Sequence, residues 1–520
     1  MPHAPESVDT SADVIVIGSG IGGLACAAAL ARCAPRVLVL ERHYVAGGLT
    51  HTFSREGYTW DVGVHYLGQM GPGQPMRRIL DWLSGGSIDF QSMGPVYDIV
   101  RLADGSRFEF TRPRAALEAS LREAFPHAGK DIRRFLDALD SARRTFSAPF
   151  QRHAMPPWLG RMLGWVKRNE IGRWWERTTE EVLREAVSDR RLRDVLSAQW
   201  GDHGGRPSEA SFAMHAIIID HYLEGAWYPV GGASAFAKGL VPVIESAGGS
   251  VRTSAPVARV LLENGRVTGV ELEDGTRVCA KVVISDVGIQ NTVLTLLPET
   301  QRGSAWATEA LSLAPSVCHV CLYLGLEGDV AAAGATRANH WIFETDRIDA
   351  VWDDPFSQPG APSLFVSFPS LKDPARSDDG AWRHTAEIVA WTDWSVFDAW
   401  EDSVYGARPE DYAGLKQALE RALLDQFARH FPGLAPMIKV RELSTPLSTV
   451  HFTGHHRGAI YGLNTTPRRF GSRALDIRTP IPGLLLTGQD VVTPGVAGAM
   501  MGGVLAAAVL QPRVFARLPR

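Results

Sequence analysis

Cysteine is scarce in this chain, with five in 520 residues. Five thiols cannot staple a fold of that length into a disulfide framework, and their odd number suits a reducing compartment. Neither sign of charge is in excess: 53 Lys and Arg oppose 57 Asp and Glu, a net charge of −4. A nucleic-acid-binding protein would normally carry a basic surplus, so composition argues against that class. Long apolar runs are nearly missing. The stretch 491–510 has membrane-spanning length and no charge, but Pro494, Gly495, Gly498, Gly502 and Gly503 interrupt it. It reads as a loop entering a packed helix rather than a bilayer crossing. The first thirteen residues are polar and partly acidic, unlike a signal peptide, and the expected location is cytoplasmic.

Metal-ligand spacing is missing as well. Cys318 and Cys321 form a C-x-x-C inside an apolar run that reads as a strand, so alternation sends the two sulfurs to opposite faces. His451, His455 and His456 are dense, but no carboxylate or thiol accompanies them at ligand spacing. They read as a loop surface or the wall of a substrate domain, and no metal is expected.

The remaining composition, 45% hydrophobic and 21% charged, is that of a globular protein, and its length suits two to four domains of about 150 residues. The clearest local pattern lies at 13–41. Val14 to Ile17 is an apolar run typical of a buried parallel strand. It passes through Gly18, Gly20 and Gly23 into a small-residue helix, then into a second apolar strand that Glu41 closes. In such a Rossmann-like unit the first glycine permits the tight turn. The second lets the backbone approach a pyrophosphate, and the third lets the helix press on the sheet. The helix N-terminus offers free N–H groups to the phosphates, and Glu41 suits a ribose. This pattern specifies a dinucleotide without deciding between FAD and NAD.

The flanking residues decide it. A second glycine pair, Gly47 and Gly48, follows the acid closely, and a late buried strand runs through Thr487 into Gly488 and Asp490. After it, Gly495 and Val496 open a helix. FAD is long and requires contacts along its whole length, which a chain with nucleotide-type turns at both ends can supply. No second G-x-G-x-x-G lies between a strand and a helix, so a resident pyridine-nucleotide domain is not expected. Between the two ends, 258–285 alternates around Asn264-Gly265 and Asp274-Gly275, which predicts a three-stranded meander whose third strand is Val278 to Ile284.

These stretches, with the Tyr58 to Gly68 segment, Tyr228 to Gly232, His451 to Gly454 and Gly458 to Gly462, resemble the flavoprotein family of phytoene desaturases, carotenoid isomerases and retinol saturases, within the amine-oxidase-like superfamily. The resemblance implies an α/β fold in which a discontinuous FAD-binding domain (1–70, 225–300 and 470–520) clasps a mixed α+β substrate domain (71–224 and 301–469). It implies FAD on Gly18, Gly20 and Gly23, with Glu41 and the adjoining Arg42 at the ribose end. Gly47, Gly48 and Leu49 fall on the flavin side, Val257 at the adenine, Gly488 and Asp490 at the pyrophosphate and ribityl chain, and Gly495 and Val496 at the ring. The implied activity is a FAD-dependent oxidoreductase acting on a long apolar polyene by desaturation, saturation or flavin-assisted isomerisation. Two alternatives stand beside it: a flavoenzyme of the same fold acting on an unsaturated fatty acid or an amine, and a non-catalytic lipid-chain carrier. Glu41, Gly47, Gly48, Gly488 and Asp490 disfavour the carrier.

His65 and Tyr66 are the ionisable pair that the motif places beside the ring, where they could move a proton or serve as hydrogen-bonded packing. The segment 155–177 carries Trp158, Trp165, Trp174 and Trp175 among Arg and Lys. It reads either as a helix lying on a membrane surface, the peripheral contact expected of a polyene enzyme, or as a cap helix.

Overall fold

A computed structural model describes residues 11–33, 35–155, 168–356, 360–376 and 382–519. Trp158 and Trp165 lie outside them. Trp174 and Trp175 are buried against Phe212, Phe150 and Phe470. Those two indoles belong to the protein core, as the cap-helix alternative expects and the membrane-surface alternative does not.

Five short parallel strands form one sheet in the order Ser250–Arg252, Val37–Leu40, Val14–Ile17, Val282–Ser285, Leu484–Leu486. Three of them are buried throughout and Val282–Ser285 at all but its first residue, as expected of strands covered on both faces. Their sequence origins lie hundreds of residues apart, so this layer draws on the beginning, middle and end of the chain. Helix Ile21–Ala31 is buried from Ile21 to Leu30, which accounts for its run of alanines and glycines. Helix Gly495–Leu510 packs so closely on it that a methyl group on Gly503 would overlap the carbonyl oxygen of Gly22.

The meander forms from Val257–Glu263, Arg266–Leu272 and Arg277–Cys279. The third expected strand is in fact two: Arg277–Cys279 closes the meander, and after Ala280 and Lys281 the chain enters the parallel sheet as Val282–Ser285. An uninterrupted apolar run cannot reveal that its two ends pair with different sheets.

A seven-stranded sheet builds the second layer, in the order Ile438–Ser444, Cys318–Glu327, Arg383–Thr392, Ser363–Ser367, Asn339–Phe343, Val96–Arg101, Arg107–Thr111. Val320, Leu322 and Leu324 pack on Leu419, Leu423 and Phe427 of helix Glu410–His430, whereas Cys321 and Tyr323 face the main core. Both Cys318 and Cys321 are free thiols.

Candidate functional site

The first turn is built for close approach. Gly18 has φ +97° and donates its N–H to Leu40 O at 2.8 Å. Gly20 caps helix Ile21–Ala31 and, as a glycine, puts no side chain of its own over the helix N-terminus. The second glycine pair lies against this turn: Gly20 and Gly47 form an isolated bridge, and a Cβ on Gly48 would come within 3.1 Å of Gly20 Cα. Glu41 accepts from Ser19 N at 2.9 Å, Ser19 Oγ at 2.7 Å and His43 N at 2.8 Å, which fixes its carboxylate at the end of the second strand.

A cavity of about 390 Å³ starts at this turn and runs to the seven-stranded sheet. Gly18, Gly20, Glu41, Arg42, Gly47, Gly48, Leu49, Val257, Asp490, Gly495 and Val496 line it together with His65, and His455 and His456 stand in its wall. The N-terminus of helix Gly495–Leu510 opens on it with no side-chain cap, presenting the positive end of the helix dipole. Three expected residues stand back from the cavity. Gly23 donates its N–H to Asp286 Oδ2 at 2.7 Å, and Gly488 is held against the same carboxylate at φ +82°. Tyr66 is buried beneath the wall. Asp490 reaches the cavity, but its carboxylate already accepts from Ile289 N at 2.9 Å and Leu463 N at 3.3 Å. It ties two loops together.

Asp286 was not anticipated. It follows strand Val282–Ser285 as Glu41 follows Val37–Leu40, and an acid ending an apolar strand was the signal that could have found it. Burial, with Glu41 and Asp490 nearby, pushes its carboxyl up to about 8, so it is protonated at neutral pH and an anion at the turn meets a neutral acid.

The far wall comes from strand alternation. Trp341 pairs with Phe365, and Phe365 with Val389, straight across three strands, while Trp391 pairs with His319 on the next. All five line the cavity. Trp341 and Trp391 stack with centroids 5.7 Å apart and planes 11° from parallel.

Between turn and wall sits a buried ionic cluster. His65 Nδ1 lies 2.9 Å from Glu387 Oε2. Burial pushes Glu387 up to about 8, while burial and Lys372 push His65 down to about 3. At neutral pH the pair is therefore a neutral carboxylic acid facing a neutral imidazole. Glu387 Oε1 accepts from Asp61 N at 2.9 Å, and Asp61 accepts from Tyr228 OH and from Ala233 N at 2.7 Å. Lys372 Nζ donates to His65 O at 2.9 Å, Asn339 Oδ1 at 2.5 Å and Ser367 Oγ at 2.7 Å.

The pattern of the family described as "Flavin containing amine oxidoreductase" matches residues 21–511. The chain belongs to that family. This flavoprotein is 32% identical over 532 residues to the all-trans-retinol 13,14-reductase of Danio rerio, with 98% of this chain and 87% of the relative covered. It is 25% identical over 521 residues to the chloroplastic prolycopene isomerase of Arabidopsis thaliana, covering 95% and 82%. Among solved structures, an oxidoreductase from Methanosarcina mazei shares the fold at a TM-score of 0.65 and 19% identity, covering 94% of this chain and 98% of that one.

The flavoprotein is a FAD-dependent oxidoreductase, and its own residues fit the cofactor. At Gly20, Gly22 and Gly48 a Cβ would crowd the Asp286 carboxylate or the facing backbone, and Gly18, Gly20, Gly22 and Gly48 all line the cavity. Backbone N–H groups and Glu41 at the turn, and a helix N-terminus farther along, suit a long dinucleotide. One consequence concerns pH. The folded flavoprotein keeps the Asp286 proton to about pH 8, whereas the unfolded chain releases it near the ordinary value of 3.8. This stabilisation is complete below the unfolded value and is lost as pH rises through about 8. Thermal melts of the flavin-free protein between about pH 6 and 9 are expected to show a falling midpoint. Asp286→Asn should remove part of that slope, and an unchanged slope would contradict the assignment.

Proposed function

We propose that this flavoprotein reduces one double bond of a retinoid- or carotenoid-type polyene. The observation that carries this reading is the continuity of the cavity, from the glycine turn past His65 to the row Trp341, Phe365, Val389 and Trp391. A flat conjugated chain buries its faces well against such rings. The similarity to all-trans-retinol 13,14-reductases over nearly the whole chain supports the same substrate class and direction.

Bound flavin supplies two-electron chemistry, accepting or giving a hydride. The protein's part is to hold the polyene and keep water out. The aromatic row forms the wall, and His65, packed on Phe365 at 4.8 Å between centroids, marks the boundary between cofactor and substrate regions. Its neutral ring presents a dipole rather than a charge to an apolar chain, which lowers the cost of binding one there.

The test is anaerobic incubation of photoreduced and oxidised enzyme with retinoid, carotenoid, unsaturated fatty-acid and amine panels, products being separated by chromatography and mass. A polyene that gains two hydrogens from the reduced enzyme is the expected result. An unchanged mass with a new retention time would assign isomerisation instead. Turnover confined to fatty acids or amines would overturn the polyene reading.

A further inference from the structure

We propose that Asp202 is the acid that protonates the polyene, with Tyr66 and Asp98 positioning its proton. This rests on the reductive reading above. Addition of hydrogen across a carbon–carbon double bond needs a proton as well as a hydride, and the buried cluster at His65 does not offer an acid that reaches the aromatic wall. Asp202 does. It ends the short helix Ala198–Asp202, lines the cavity, and follows Gly201, whose Cα faces the Trp341 and Trp391 rings so closely that any side chain there would strike them.

Proton counting assigns its state. The Tyr66 hydroxyl lies 2.9 Å from Asp98 Oδ2 and 2.7 Å from Asp202 Oδ2. One phenolic proton cannot serve two carboxylates, so one of the acids brings its own. Asp98 already receives Gln199 Nε2 at 2.6 Å and Asn339 Nδ2 at 3.1 Å, the latter amide being anchored by Lys372 through its oxygen. The Asp202 carboxyl has no hydrogen-bond partner besides Tyr66 among the described residues. Asp98 is therefore the anion and Asp202 the acid: Asp202 donates to the Tyr66 oxygen, and Tyr66 donates to Asp98. Burial and the charge of Asp98 both hold the Asp202 carboxyl well above the ordinary carboxylate range. Tyr222, stacked on Tyr66 at 4.4 Å, and Tyr97 and Tyr461 complete the ionisable surroundings and are neutral.

The balance closes. Reduced flavin, when bound, would supply the hydride for one carbon of the double bond and so be oxidised by two electrons, and the neighbouring carbon takes the proton of Asp202. The π bond and the Asp202 O–H bond break, and two C–H bonds form. Tyr66 then turns its O–H from Asp98 to the new Asp202 carboxylate. Asp98 keeps the Gln199 and Asn339 donors, so the rotation leaves no anion bare. Solvent returns a proton to Asp202 after product leaves.

Two measurements on flavin-loaded enzyme test this. In infrared difference spectra of wild type against Asp202→Asn, a carbonyl stretch of a protonated carboxylic acid is expected to vanish, and in Tyr66→Phe it should shift. No such band lost in Asp202→Asn overturns the proposal. In single-turnover reduction of all-trans-retinol by photoreduced enzyme, Asp202→Asn is expected to slow product formation about 100-fold, with flavin content and retinol affinity unchanged. Asp202→Glu, which keeps an acid, should recover part of the rate and serves if the asparagine variant folds poorly. Wild-type rates in Asp202→Asn overturn this inference alone. A wild-type enzyme that reduces no polyene overturns the functional reading, and the role of Asp202 with it, whatever the infrared band shows.

Discussion

A Gly23→Val protein is expected to purify colourless and to resist reconstitution with FAD. Gly23 lies in the first turn of helix Ile21–Ala31, where an added Cβ would overlap the carbonyl oxygen of Gly18 and press within 3.0 Å of Asp286 Oδ2. Neither neighbour can yield cheaply. Gly18 is fixed by its own N–H on Leu40 O, and Asp286 by the N–H of Gly23 itself. The helix would have to lift from the sheet, and it cannot, because helix Gly495–Leu510 closes on its other side at Gly22 and Cys26. Overpacking of this kind costs about 1–3 kcal/mol or more, and here the strain falls on the backbone expected to meet the pyrophosphate. Gly265→Ala is the control. Gly265 has φ +73°, so alanine there costs about 1–2 kcal/mol of backbone strain, but its Cβ would enter open space in a hairpin turn remote from the cavity. That variant should remain yellow. The flavin spectrum after desalting decides: full flavin occupancy in Gly23→Val would refute the packing argument.

The contrast between Gly23 and Asp202 also explains what could be read without coordinates. Gly18, Gly20, Gly23 and Glu41 act within one strand–turn–helix–strand unit, so spacing alone carries their geometry. Asp286 carried the same local signal, an acid closing an apolar strand, and went unread because the unit around it has no glycine fingerprint. Asp61, Asp98, Asp202, Lys372 and Glu387 are different in kind. Asp61 meets Glu387 across 326 residues, and Tyr66 meets Asp202 across 136. Their partnership is a product of sheet order and register, and a single sequence displays neither. The aromatic wall is intermediate: alternation predicts that Trp341 and Trp391 lie on a face, but only the pairing of Trp341 with Phe365 and Phe365 with Val389 makes a row of them. The split of Val278 to Ile284 between two sheets has the same cause.

Lys372→Met is expected to be the most destabilising single change in the substrate layer, by about 3–5 kcal/mol. The side chain is buried, and the three N–H bonds of its ammonium meet three acceptors drawn from separate parts of the chain: His65 O, Asn339 Oδ1 and Ser367 Oγ. Burial pushes its amine down to about 7, and the nearby acids Glu387, Asp98 and Asp61 limit that fall. Methionine fills nearly the same volume, so packing is not the main loss. What is lost is the partner of a buried carbonyl, a buried amide and a buried hydroxyl, together with one of the cations that balance Asp98 and Asp61. The segment Val62 to Tyr66 would lose its tie to the sheet at His65 O, which predicts a second effect. Flavin should remain bound through the distant glycine turn, yet its absorption should broaden as the residues expected beside the ring loosen. Denaturant unfolding of holoenzyme measures the first effect and the visible spectrum the second. A midpoint equal to that of wild type would mean that Lys372 balances no charge in the folded protein.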